Sequence, residues 1–160
     1  MTAITVGDNP ASLLYVTRKQ EKALDLGVEF NWLKLDSNTS QETLEDVISK
    51  ESKSTDGLII QLPLPSHLNP EKAINCIPHE VDVDGLTSYN LGSLFSDTYN
   101  LIPATSLAVL ELLNFYNIKT EDKNVVIAGR SRLVSAPLAK ILSSKSYNAN
   151  VSVIHSKTTN

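Results

Sequence analysis

The sequence predicts an α/β protein with a largely parallel sheet, and three observations carry that prediction. Short apolar runs alternate along the 160 residues with segments of helical periodicity. Residues 57–62 are almost continuously apolar, which is typical of a strand buried on both faces of a parallel sheet. The apolar share of 41% and the charged share of 20% indicate a globular chain rather than a disordered one.

The first half predicts three strands, each followed by a helix. The predicted strands are 3–6, 28–35 and 57–62, and the predicted helices are 10–26, one starting in 39–42, and 70–77. Asn9 caps the first helix and Pro10 suits its first position, since the missing N–H is not needed there. Gly27 is the expected stop of that helix. Residues 39–42 have capping-box spacing.

The second half predicts a β-α-β unit after a less regular region. Residues 78–103 carry few periodic signals and predict loop and turn joining two domains. Beyond them the predicted elements are a helix at 106–116, a strand at 124–128, a helix at 133–144 and a strand at 149–154. We therefore predict two domains, 1–101 and 102–160.

Composition excludes several classes of function. Lys and Arg number 14 against 18 Asp and Glu, and a formal net charge of −4 argues against a general nucleic-acid binder. Cys76 is the one cysteine, so no internal disulfide forms. No apolar run approaches the ~20 residues that a membrane helix needs. The three histidines lack ligand spacing, and we expect no metal site. These features predict a cytoplasmic protein without nucleic-acid or membrane partners, with a mitochondrial location left open.

Polar residues on the first helix and after the third strand are candidates for chemistry. Tyr15 and Lys19 are four residues apart and share a helix face, which suits proton transfer or is a solvated surface. Gln61 ends an apolar strand at the edge where open α/β sheets bind ligands; it could equally satisfy backbone groups there. Asp82 and Asp84 form either a carboxylate pair or an Asp-Gly turn.

Two segments of the β-α-β unit are candidates for binding a dinucleotide. Gly129, Arg130 and Ser131 follow a strand and precede a helix, a context in which backbone N–H groups hold diphosphates. The G-x-G-x-x-G pattern is not met, so an ordinary βα turn remains open. The next strand ends in Ser156, Lys157 and Thr158 with no acid, which favours a 2′-phosphate and hence NADP, or is a frayed basic terminus.

Six separated phrases of this sequence occur in the same order in one enzyme family. They are VGDNPAS…YVTRK (6–19), DGLIIQLPLP (56–65), DVDGL (82–86), YNLGSL (89–94), VVIAGRSRLV…P (125–137) and HSKT (155–158). Because of these six phrases, the chain resembles the bifunctional methylenetetrahydrofolate dehydrogenase/methenyltetrahydrofolate cyclohydrolase family. The resemblance implies NADP-dependent oxidation of 5,10-methylenetetrahydrofolate to 5,10-methenyltetrahydrofolate and hydrolysis of the latter to 10-formyltetrahydrofolate.

The resemblance also implies roles for particular residues. Lys19 is the expected catalytic lysine, with Gln61 hydrogen-bonded to it, Tyr15 against the folate and Asp84 anchoring the pterin. The remaining implied residues are Ile60 and Leu62 for substrate, and Gly129, Arg130, Ser131, Ser156, Lys157 and Thr158 for NADP. The family fold is a catalytic domain plus a Rossmann-type domain, of which 102–160 corresponds to the first βαβ part, with folate in the cleft between them. Tetrahydrofolate derivatives are the expected partners, and the family state is a homodimer.

Departures from the family pattern leave a second reading open. Ala104 and Ser106 replace a cysteine and a proline, and Ser135 replaces a glycine at a close helix–strand contact, where a bulkier residue is expected to push the cofactor loop. Family members start with a further helical segment and continue past the last strand. The chain is therefore expected to be either an enzyme of this family, with weak dehydrogenase activity by itself, or a truncated non-catalytic relative acting as a folate-binding or interaction module.

Overall fold

A computed structural model of the chain describes residues 1–159, which form two compact units. The first is Met1–Val83 and the second begins at Asp84. The predicted limit after residue 101 therefore falls inside the second compact unit, and as a limit between functional domains it stays a prediction. No helix in the described part of the chain is long and apolar enough to cross a bilayer.

The first unit is a three-stranded parallel sheet with three helices. Its elements are β1 (Thr2–Val6), α1 (Pro10–Asp25), β2 (Asn31–Leu35), α2 (Gln41–Glu51), β3 (Leu58–Ile60) and α3 (Pro70–Asn75). The strand order is β2-β1-β3, and Thr2 is in register with both Asn31 and Leu58. Ile4, Leu44, Ile48 and Leu58 are fully buried in the core of this unit, so the central strand and α2 supply much of it.

Local signals set the ends of α1 as predicted. The Ser12 N–H donates to the Asn9 side-chain oxygen at 3.0 Å, and Pro10 is the first helical residue. Gly27 has a φ of +68°, the left-handed conformation that ends a helix at low cost in glycine. The Asn9 cap fixes the first turn of α1, and the Ser12 hydroxyl on that turn reaches the Leu62 carbonyl just past β3.

The second unit contains a two-stranded parallel sheet and three helices. Its elements are α4 (Ser88–Phe95), α5 (Ala104–Phe115), β4 (Asn124–Ala128), α6 (Ser135–Leu142) and β5 (Asn150–Ile154). β4 and β5 pair in parallel from Asn124 opposite Asn150 to Ala128 opposite Ile154. Leu94, Leu110, Ile141 and Leu142 form the centre of its core. The predicted α/β class with parallel sheets and a βαβ segment is confirmed.

The prediction that residues 78–103 are loop and turn is wrong for α4. The Thr87 hydroxyl caps this helix by accepting from the Asn90 N–H at 3.2 Å. Gly92 and Asn90 have low helix propensity. The helix has only eight residues, so the spacing of its apolar residues gives little evidence of a helix. Leu94 is fully buried in the core of the second unit, and this tertiary packing stabilises the helix.

Candidate functional site

Lys19 and Gln61 meet at the carboxyl end of β3. The Lys19 Nζ donates to the Gln61 Oε1 at 3.2 Å, joining residues 42 positions apart. The Gln61 N–H donates to the Ile4 carbonyl at 2.9 Å, so parallel pairing with β1 continues one residue past β3. The lysine is half-buried. Helix α1 and the strand edge thus present an amine and an amide to each other at the edge where open α/β sheets bind ligands.

The amide of Gln61 is held in one orientation by its own backbone neighbour. Its Nε2 donates to the Leu62 carbonyl at 2.9 Å, which leaves Oε1 to accept from Lys19. The Ser12 hydroxyl donates to the same Leu62 carbonyl at 3.3 Å. Gln61 therefore satisfies a backbone group and contacts the lysine at once, so the two readings of this residue do not exclude each other. Sequence reasoning did not single out Ser12, although the Asn9-Pro10 helix start placed it in the first turn.

The other residues expected at the folate site differ in their exposure and in the compact unit to which they belong. Tyr15 lies one turn before Lys19 on α1 and is 59% exposed, which leaves its ring available to a ligand. Ile60 is buried in the core of the first unit, and Leu62 is half-buried. Asp84 begins the second compact unit. Tyr15, Lys19, Ile60, Gln61 and Leu62 thus all belong to the first unit.

Residues 82–85 combine a backbone bridge with a glycine turn. Asp82 is buried and forms an isolated parallel bridge with Leu58. Gly85 has a φ of +68°. A glycine in this conformation directly after Asp84 agrees with the turn reading of the Asp-Gly pair. Within residues 1–159, no group of three or more His, Cys, Asp or Glu side chains could hold a metal ion.

The pKa of the Cys76 thiol lies above its usual value. Burial raises the pKa of the Cys76 thiol, and the Glu45 carboxylate raises it further. Both causes disfavour the thiolate. Cys76 follows α3 and lies outside the residues gathered around Lys19.

A cavity of about 530 Å³ lies in the second unit at the carboxyl ends of β4 and β5. It is lined by Ala128, Gly129, Arg130, Ile154, His155, Ser156 and Thr158. Four residues expected to bind the cofactor, Gly129, Arg130, Ser156 and Thr158, are thus brought to one cavity. Ser131 and Lys157 neighbour it in sequence but do not line it.

The turn after β4 depends on glycine. Gly129 has a φ of +135°, a region that other residues rarely adopt, and its N–H donates to the Ile154 carbonyl at 2.7 Å. A Cβ at this position would lie 2.6 Å from the Ser135 Oγ. The Ser135 hydroxyl therefore lies against the side of Gly129 that a Cβ would occupy.

The Ser131 hydroxyl caps α6. Its oxygen accepts from the N–H groups of Val134 and Ser135 at 3.3 and 3.4 Å. A hydroxyl oxygen that accepts these hydrogen bonds keeps its own proton for donation. Ser131 can thus organise the start of the helix and still donate to an anion in the turn.

The segment after β5 forms a closed turn rather than a frayed end. The Thr158 hydroxyl accepts from the His155 N–H at 2.8 Å, and the Thr158 N–H donates to the His155 carbonyl at the same distance. The Lys157 N–H donates to the His155 Nδ1 at 3.2 Å. Ser156 and Lys157 are exposed on this turn. The lining of the cavity beside it includes no carboxylate among the described residues, and Arg130 supplies a cation.

The fold and these two groups of residues define an α/β protein with a lysine-amide pair on one parallel sheet and a glycine turn on a βαβ unit. Models of two protein families match the chain. The tetrahydrofolate dehydrogenase/cyclohydrolase catalytic domain matches residues 1–84, and the NAD(P)-binding domain of the same enzymes matches residues 103–160. The chain belongs to the tetrahydrofolate dehydrogenase/cyclohydrolase family.

Individual relatives agree with this assignment. The bifunctional protein FolD of Streptococcus agalactiae is 41% identical over 162 residues, which cover 100% of this chain and 56% of the relative. The FolD crystal structure from Campylobacter jejuni superposes with a TM-score of 0.94 at 36% identity, covering 99% of this chain and 57% of that one. The structure of FolD from Trypanosoma brucei, complexed with NADP cofactor and inhibitor, superposes with a TM-score of 0.92 at 32% identity. The match covers 98% of this chain and 54% of that one. The chain spans about half the length of the curated relatives it matches.

Proposed function

We propose that this chain carries the folate-site and cofactor-site residues of an NADP-dependent methylenetetrahydrofolate dehydrogenase/methenyltetrahydrofolate cyclohydrolase. The observation that carries the proposal is the 3.2 Å hydrogen bond between Lys19 and Gln61, at the sheet edge of a chain that belongs to this family. The proposed substrates are 5,10-methylenetetrahydrofolate and 5,10-methenyltetrahydrofolate, and the oligomeric state expected from the family is a homodimer.

The hydrolytic step needs a group that moves a proton twice. Water adds to the methenyl carbon, and the amine of Lys19 takes the proton that the water oxygen loses. Collapse of the resulting carbinol to the formyl group breaks a carbon–nitrogen bond: Lys19 returns its proton to the leaving nitrogen, and the hydroxyl proton is released to solvent. Gln61 accepts a hydrogen bond from Nζ and so directs the amine, while the Leu62 carbonyl, which also accepts from the Ser12 hydroxyl, holds the amide in place.

Residues of the first unit beside this pair would contact the folate. Tyr15 offers an exposed ring on the same helix as Lys19, one turn away, for stacking on the pterin or its neighbouring ring. Ile60 and Leu62 flank Gln61 and supply backbone and apolar contacts. Asp84 is proposed as the carboxylate that accepts hydrogen bonds from the pterin amino group.

The residues at the carboxyl ends of β4 and β5 fit NADP. At the Gly129 turn, the Ser131 hydroxyl has a proton to donate to a diphosphate. Arg130, Ser156 and Lys157 supply two cations and a hydroxyl for a 2′-phosphate, and Thr158 shapes the turn that presents them. When bound, NADP supplies the nicotinamide that accepts hydride from the methylene carbon. The chain's residues position the dinucleotide.

Two assays test this proposal. Purified protein is incubated with 5,10-methenyltetrahydrofolate and the loss of its absorbance is followed, and NADPH formation is followed with 5,10-methylenetetrahydrofolate and NADP. Hydrolysis faster than in buffer alone is the expected result. Equilibrium titration should give tighter binding of NADP than of NAD. Tighter NAD binding would overturn the cofactor assignment, and buffer-level rates for both reactions would overturn the enzymatic one.

A non-catalytic folate-binding or interaction module is the second candidate. The observation that favours it is the described β4–β5 sheet, in which Val126 is 61% and Val153 43% exposed. Hydride transfer needs the two ligands held at near-attack geometry, where a misplacement of ~1 Å can cost ~10²-fold. Folate binding without turnover in either assay would select this candidate.

A further inference from the structure

His155 belongs both to the turn after β5 and to the wall of the cavity beside that turn. It is the first residue past Ile154, where β5 ends, and it lines the cavity at the carboxyl ends of β4 and β5. It is half-buried, whereas residues 152–154 and 156–159 on either side of it are exposed. Its ring is in contact with the turn, since the Lys157 N–H donates to the His155 Nδ1 at 3.2 Å.

This hydrogen bond fixes the peptide between Ser156 and Lys157. The donating N–H belongs to that peptide, so its direction sets where both side chains leave the backbone. The other two hydrogen bonds of the turn join His155 and Thr158 to each other, both at 2.8 Å. Within residues 1–159, the bond to Nδ1 is the one hydrogen bond that either of the two residues between them makes. The orientation of Ser156 and Lys157 therefore depends on the His155 ring.

The charges around this cavity suit an anion. Arg130 lines it, and no carboxylate of the described residues does. Neither Arg130 nor Lys157 forms an ion pair with a carboxylate among residues 1–159, so both cations are available to a ligand. Ser156 lines the same cavity and carries a hydroxyl. A phosphate that reaches these three residues would accept charge-assisted hydrogen bonds.

We propose that His155 is a positioning residue for this phosphate. By accepting from the Lys157 N–H, its Nδ1 holds Ser156 and Lys157 in the orientation that receives a 2′-phosphate, and it thereby favours NADP over NAD. The ring acts through the backbone and does not itself touch the dinucleotide. The inference rests on the proposed function, because it takes the 2′-phosphate of NADP as the ligand.

Equilibrium titration with adenosine 2′,5′-bisphosphate and with 5′-AMP tests the proposal, since the two probes differ in the 2′-phosphate alone. His155→Ala removes the acceptor, and we expect it to weaken bisphosphate binding about fivefold, as for loss of one ordinary hydrogen bond. The affinity for 5′-AMP should not change, which also shows that the cavity is intact. His79→Ala is the control, a histidine of the first unit whose Nδ1 lies 3.3 Å from the Glu80 carboxylate. It should change neither affinity.

Two further variants separate the roles of the two ring nitrogens. An asparagine oxygen stands where Nδ1 stands and accepts from the N–H two residues on, as in Asx-turns. His155→Asn should therefore bind the bisphosphate within twofold of the parent protein. Glutamine places its amide near Nε2 instead, so His155→Gln should lose as much affinity as His155→Ala. Parent-like binding by His155→Gln, or an affinity of His155→Asn as low as that of His155→Ala, would overturn the proposal.

Three other results would also overturn it. They are bisphosphate affinity of His155→Ala within twofold of the parent, an equal loss of 5′-AMP affinity in that variant, and a parent protein that binds the bisphosphate no more tightly than 5′-AMP. A preference for the bisphosphate that depends on His155, without either folate reaction, would uphold this inference and overturn the proposed function. Folate turnover with a preference independent of His155 would do the reverse.

Discussion

The Lys19 Nζ lies 3.2 Å from the Gln61 Oε1, although 42 residues separate them in the chain. The contact depends on two local features, the Asn9 cap that sets the start of α1 and the continuation of parallel pairing past Ile60. It brings an amine and an amide oxygen together at one sheet edge. The contact itself is a property of the first unit alone.

Lys19→Met should reduce hydrolysis of 5,10-methenyltetrahydrofolate by ~10²–10⁴-fold, because the proton acceptor is lost. The side chain is half-buried and makes one side-chain hydrogen bond, so the free energy of unfolding should change by under about 1 kcal/mol. Absorbance assays and urea unfolding measure the two effects. Lys22→Met is the control on the same helix, where the lysine is exposed and pairs with Asp25. An unchanged rate in Lys19→Met would remove the catalytic assignment.

Gly129→Ala should destabilise the second unit by about 1–3 kcal/mol, since φ at this position is +135° and the added Cβ would lie 2.6 Å from the Ser135 Oγ. The double variant Gly129→Ala/Ser135→Gly removes the clash and keeps the backbone strain, so it should recover part of the loss. Gly92→Ala is the control: nothing lies within 4 Å of its Cβ, and it should stabilise α4 by about 0.5–1 kcal/mol. Thermal and urea unfolding give the comparison. Equal stabilities of Gly129→Ala and the parent would contradict the geometry.

Cys76 should alkylate with a pH midpoint above that of a free thiol, because burial and the Glu45 carboxylate raise its pKa. The thiolate is disfavoured in the folded state, so stability from this group falls as the pH rises above the pKa of the unfolded thiol. Glu45→Gln should lower the midpoint and speed alkylation at neutral pH, because it removes the smaller of the two causes of the raised pKa. Iodoacetamide kinetics across pH measure both. A midpoint equal to that of the unfolded chain would refute the shift.

Val126→Lys should reduce concentration-dependent association. Val126 and Ile154 lie on the same face of the described β4–β5 pair and are 61% and 39% exposed, whereas Ile127 is buried on the other face. Exposed apolar strand surface promotes pairing with other chains, and a lysine opposes it. Sedimentation at several concentrations measures the effect, with the exposed Lys145→Ala as control. Association of the parent and Val126→Lys to the same extent would show that this face plays no part.

The order of strands and helices could be predicted from the sequence because each signal is local. Strand β4 (Asn124–Ala128) matches its predicted limits, and Asn9 caps α1 as expected. Helix α4 could not be predicted, because eight residues with a central glycine carry little periodicity and the burial of Leu94 stabilises them. The spacing of apolar residues indicates which face of a single helix or strand is apolar. Burial of that face depends on all the other elements that pack against it.

For the candidate sites, the sequence by itself determined which residue types stand at the carboxyl ends of β3, β4 and β5, because apolar runs and glycine turns mark where strands end. Only the tertiary structure decided how they meet. The Ser12 hydroxyl and the Gln61 amide converge on the Leu62 carbonyl, and Ser135 fits against Gly129. These contacts join residues from different turns and helices, and their geometry is set by the packing of whole elements, which no local pattern of residues contains.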